Sequence, residues 1–137
     1  MLEQILLIIG AAIIGILGTL HLQRLIFTNS FSSHDSRVMD AMKGDSPVLT
    51  EETSMWNAWI GFNASHSLGA MIFSASHILL ASRHMDVIRD TKVFSLLAVV
   101  MGAGYLYLAK KYWFRLPFTG ILIATLCFLV SAILIYV

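Results

Sequence analysis

The chain has 137 residues, 58% of them hydrophobic and 12% charged, with a formal net charge of +1 and a mean hydropathy of +0.80. Soluble domains carry about 25% charged residues, so an ordinary soluble domain is excluded, and a near-zero net charge leaves no basic footprint for nucleic acid. The single cysteine, Cys127, has no internal disulfide partner and no cationic neighbour in sequence to activate its thiol, which excludes a disulfide scaffold.

The placement of the charges decides the class. All nine Lys/Arg and all eight Asp/Glu residues lie outside four uncharged stretches, 4–23, 53–82, 93–109 and 116–137. A span of hydrocarbon needs roughly 20 apolar residues, with a range of about 17 to 25, and the third stretch meets that only narrowly. Soluble helices show a charged face at helical period, and these stretches show none. The expected fold is all-α, an integral membrane four-helix bundle, with residues 1–137 forming a single transmembrane domain.

The first span, "LLIIGAAIIGILGTLHLQR", lacks the basic leader of a secretory signal and reads as a span. Ala11, Gly15 and Thr19 recur at every fourth position, a spacing that lets helix backbones approach. The loop 24–52 is the longest polar segment. Within it "HDSRVMDAMKG" predicts a short helix capped by Asp35 or Ser36 and ended by Gly44, with Val38, Met39 and Met42 on one side, suited to a membrane surface.

Thr50 is the expected N-cap of span two, with Glu51 and Glu52 at the positive end of its dipole. Continued to residue 82, that helix would run about 48 Å, so its first turns should stand out of the bilayer or the helix should tilt. "RHMDVIRDTK" reads as a short polar turn. Span three ends in "KKYWFR", a basic and aromatic interface cluster. Pro117 suits the first turn of span four, where Gly120 and Ala124 repeat the small-residue spacing. Arg24, Arg37, Lys43, Lys110, Lys111 and Arg115 lie on one side, against Arg83, Arg89, Lys92 and the N-terminal amine on the other. The basic excess predicts the long loop in the cytoplasm and both termini outside.

Span two carries the chemistry. At about 100° per residue, Trp56, Trp59, Asn63, His66, Ala70, Phe73, Ser74 and His77 share one face, with Phe62 and Gly69 on its border. Lipid cannot satisfy the polar members, so this face should turn inward. Gly69 and Ala70 leave room beside His66, and Phe62 offers an aromatic wall. His66 and His77 stand roughly 16.5 Å apart along the axis, too far to share one ion. Aligning Arg24 with the level of Trp56 places His21 one to two turns shallower than His66, within modest shifts of Asn63. His21, Trp59, Asn63, His66, Ser74 and His77 are therefore the candidate ligand-binding residues, with no catalytic residue and no metal site expected.

Three readings of the stripe compete. The polar groups serve as interhelical hydrogen bonds, each worth about 0.6–2 kcal/mol; or they line a pocket for a small lipophilic molecule or a lipid headgroup; or histidine ligates haem b. The last needs axial ligands at matching depth, which the depth alignment of His21 and His66 opposes, so no cofactor is predicted. "NAS" at Asn63 matches a glycosylation acceptor but falls inside a span, and His34 and His84 read as ordinary loop residues. No nucleophile elbow, zincin motif or phosphate loop is present. No acidic residue lies within a span, which argues against transport coupled through buried carboxylates.

"SPVLT", "TSMWNAWIGFNASHSLGA" and "KKYWFRLPFTGILIAT" resemble a family of small bacterial four-span inner-membrane proteins of unassigned function, marked by the block W-x-x-W-x-G-F-N-x-S-H-S-L-G. The likeness covers most of the chain. It implies a multi-pass protein of the bacterial inner membrane and supplies no activity. The expected function is a non-catalytic membrane protein holding a lipophilic ligand or partner helix against span two. The alternatives are a histidine-ligated haem or other redox subunit and a structural accessory subunit.

Overall fold

The computed structural model describes residues 1–137. It contains six helices: α1 (Leu2–Phe27), α2 (Ser36–Gly44), α3 (Met55–Arg83), α4 (Met85–Thr91), α5 (Val93–Tyr112) and α6 (Arg115–Tyr136). Of these, α1, α3, α5 and α6 are long and apolar enough to cross a membrane. Hydrocarbon offers no hydrogen bonds, and a helix satisfies its backbone internally. The protein is an all-α, multi-pass membrane protein.

At their C-terminal ends three spans run past the uncharged stretches that announce them. Arg24, Arg83, and Lys110 with Lys111 lie in the last turns of α1, α3 and α5, where a cation meets the negative end of the helix dipole. Span two starts later than expected. The Thr50 hydroxyl accepts from the Glu52 N–H at 3.1 Å in a local turn, while the Ser54 hydroxyl accepts from the Asn57 N–H at 3.2 Å. Ser54, not Thr50, is the cap, and Glu51 and Glu52 lie outside the helix.

The expected polar turn after span two is also corrected. It forms helix α4, with Ile88 fully buried and Met85 nearly so. Lys92 ends α4 in a left-handed conformation, φ 57°, and donates its N–H to the Ile88 carbonyl at 2.9 Å. A non-glycine residue there costs on the order of 1 kcal/mol, which the burial of Ile88 offsets.

The chain divides into two compact units, with boundaries inside α1 and α3. The first comprises residues 1–17 and 70–137. Its core gathers Leu7, Ala11 and Ile14 of α1, Ala70 and Ala81 of α3, Met85 and Ile88 of α4, Ala98 of α5, and Ile121, Ala124 and Phe128 of α6. Phe128 is fully buried. Its ring fills space left by two glycines: a Cβ on Gly10 would stand 2.5 Å from it, and one on Gly102 3.2 Å. The Phe73 ring meets Phe128 edge-on, with centroids 6.0 Å apart. At one end of this unit, Gln4 Nε2 donates to the Ala81 carbonyl at 2.9 Å, Ser131 Oγ donates to the Glu3 carbonyl at 2.7 Å, and Glu3 pairs with Arg89.

The second unit comprises residues 18–69. Helix α2 starts and stops where the sequence predicts, with Asp35 as N-cap accepting from the Arg37 N–H at 2.9 Å. The Arg37 guanidinium, 2.9 Å from the same carboxylate, holds Asp35 below the usual carboxylate range. Beyond α2, the Met55 N–H donates to the Asp45 carbonyl at 2.9 Å and ties the loop to the start of α3.

Phe128→Ala should lower stability by roughly 3–5 kcal/mol, the cost of an emptied aromatic site in a packed core, as read by detergent unfolding. Leu129→Ala, on the outer face of the same helix, should change it by less than about 1 kcal/mol.

Candidate functional site

The second unit brings three polar side chains together from two spans. His21 of α1 lies with Nε2 3.1 Å from Asn63 Oδ1 of α3. Its ring meets that of His66 edge-on, with centroids 5.7 Å apart and planes at 69°. The depth mismatch expected from the sequence is therefore overturned. His21 reaches both Asn63 and His66, because residues three apart on a helix share a face.

Hydrogen-bond chemistry determines the proton positions. The Trp59 carbonyl lies 2.8 Å from Asn63 Nδ2, and a carbonyl only accepts, so the amide nitrogen must face it. Asn63 Oδ1 then faces His21. That oxygen also only accepts, so His21 carries a proton on Nε2, and the neutral ring keeps its lone pair on Nδ1. The Ser67 hydroxyl, fully buried, donates to the Asn63 carbonyl at 3.0 Å. The Trp59 carbonyl alone fixes the Asn63 amide and so orients the oxygen it offers to α1, while Ser67 satisfies the Asn63 backbone.

The long loop supplies one wall. Helix α1 ends as the Thr28 hydroxyl donates to the Arg24 carbonyl at 2.6 Å, and a turn follows with the Ser32 N–H donating to the Asn29 carbonyl at 3.0 Å. The Phe31 ring, carried on that turn, packs 4.6 Å from His21. The sequence reading missed Phe31. Its signal was a lone aromatic within the polar run "TNSFSSHD". Trp59 contributes its carbonyl while its side chain is 42% exposed, and Phe62 is 77% exposed, so Phe62 does not wall the cluster. Gly69 is exposed with nothing within 4 Å of a would-be side chain, and Ala70 is buried in the core of the other unit, so the open space at Gly69 is outer surface.

Ser74 and His77 belong to that other unit and not to this cluster. Ser74 packs on Gly15, where a Cβ would collide with its hydroxyl. His77 is 7% exposed and stacks on Phe73 with centroids 4.1 Å apart. Its Nδ1 lies 3.0 Å from the Phe73 carbonyl and so carries the proton, leaving a bare Nε2 that is buried without a partner. Most other hydroxyls of the spans are satisfied locally: Ser65, Ser82, Thr119 and Thr125 each donate to the carbonyl four residues before. Within the polar segment 61–77, Ser65 and Ser67 are satisfied in this way without a partner helix.

No family model, curated protein or solved structure matches the chain.

An unmet buried acceptor costs about 1–3 kcal/mol. His77→Phe keeps the stack on Phe73 and removes that acceptor, so stability should stay level or rise by about 1 kcal/mol. Thermal unfolding in detergent checks this; a loss of several degrees would show that Nε2 has a partner in the membrane.

Proposed function

We propose that this is a non-catalytic protein of the bacterial inner membrane that holds a lipophilic small molecule at the His21–Asn63–His66 cluster. The observation that carries the reading is the His21–Asn63 hydrogen bond at 3.1 Å with His66 beside it. Two neutral histidines gathered at one place are a costly choice for packing alone, whereas a few convergent polar groups among aromatic side chains suit an apolar ligand with one polar end. Both histidines are half-buried, not sealed. The resemblance of the "GFNASHSLG" block to small bacterial four-span proteins supports the location. The charge balance favours the long loop in the cytoplasm.

Adjacency of His21 and His66 places both rings at one depth, which a second reading, histidine-ligated haem b, also needs, and their edge contact would have to part to admit the macrocycle. Asn63 would then have to release His21 Nε2. A Soret band at stoichiometric intensity in the purified protein would replace the first reading with the second.

Native mass spectrometry of the protein extracted in mild detergent tests the proposal. The parent chain should retain a lipophilic small molecule, His66→Leu and Asn63→Leu should stay folded but lose it, and His34→Leu should keep it. Retention in both site variants would overturn the site, and a co-purifying protein chain with no small molecule would favour an accessory subunit. In intact cells an impermeant thiol reagent should label Asp86→Cys and spare Ser33→Cys; the reverse pattern inverts the orientation.

A further inference from the structure

We infer that the ligand of the His21–Asn63–His66 cluster is a neutral lipophile that presents a hydroxyl group, a phenol or alcohol, to His21 Nδ1. The inference rests on the site reading above and adds the chemical class of what the site takes.

The polarity of the site follows from a chain of donors and acceptors with one consistent direction. The Trp59 carbonyl fixes Asn63 Nδ2, Asn63 Oδ1 fixes the proton on His21 Nε2, and His21 Nδ1 is left as an acceptor. Neither amide atom of Asn63 is then left uncommitted. Nδ1 does not share the fate of His77 Nε2, the one buried side-chain nitrogen or oxygen without a partner, so it lies where a guest can reach it. A ligand seated against it would serve as the donor.

That requirement sorts the candidates. A ketone, an ester carbonyl or an ether has no proton to offer. A carboxylate or phosphate would set negative charge against a lone pair. A cation would donate, but no carboxylate stands with the two histidines to balance it, and Arg24 lies one helical turn from His21 on α1. A hydroxyl donates to Nδ1, carries no charge and keeps its own lone pairs to accept in turn. The Phe31 ring, 4.6 Å from His21, suits a flat apolar body next to that hydroxyl.

A matched pair of probes reads this directly. In the detergent-solubilised full chain, 4-nonylphenol and 4-nonylanisole differ by the one proton at issue. The phenol should bind about tenfold more tightly, the worth of one hydrogen bond at a half-buried site, measured as partition into protein-loaded against empty micelles. His21→Phe should abolish the preference, and so should Asn63→Leu, which frees His21 to move its proton to Nδ1. Equal binding of the two probes, with both lost in Asn63→Leu, would overturn the hydroxyl inference and leave the site standing. Binding of neither probe, or binding indifferent to both substitutions, would overturn the inference and the site together.

Discussion

In a hydrocarbon solvent a polar side chain must find its partner within the protein, and this single constraint organises the chain. Most serines and threonines with a bond in the spans meet it cheaply, by donating to a carbonyl one turn back on the same helix. Asparagine and histidine have more hydrogen-bonding atoms than one carbonyl can satisfy. Asn63 spends its nitrogen on Trp59 and turns its oxygen to another span, where His21 meets it. Gln4 and Ser131 reach across to backbone carbonyls of other helices, whereas His21 and Asn63 meet side chain to side chain, and that pairing defines the site.

The apolar part of the fold rests on shape, because lipid tails are as apolar as leucine and give helices no hydrophobic reason to associate. Close contact replaces that drive. Phe128 occupies space that side chains on Gly10 and Gly102 would take, and Ser74 occupies the space beside Gly15. Small residues at fixed spacing are thus readable as packing positions, while the large residue they admit is not. Phe128 continues the Gly120 and Ala124 spacing, but that register does not say that a large ring, and not another small residue, fills the contact.

The four spans were legible because charge is so costly in hydrocarbon that its absence outlines each one. Their ends were less so, since the same cations that close an uncharged stretch are welcome in a helix's last turn. Helix α4 was hidden because only Met85 and Ile88 among its polar neighbours carry its burial. The N-cap of α3 was a contest between two hydroxyls four residues apart, and Thr50 lost it by making its own turn. At the site, Asn63 as a partner for His21 could be read from sequence, but the nearness of His66 could not. Depth counted from the ends of two helices says nothing of how a ring swings toward its neighbour. Phe31 needed the turn after α1, which no periodicity announces.

The account turns on the proton of His21, and nitrogen NMR of the histidine-labelled protein in bilayers observes it. The structure requires a protonated Nε2 whose signal responds to Asn63→Leu, and an unprotonated Nδ1. A protonated Nδ1 with a bare Nε2, unchanged by Asn63→Leu, would contradict the hydrogen-bond chain from which the site is built.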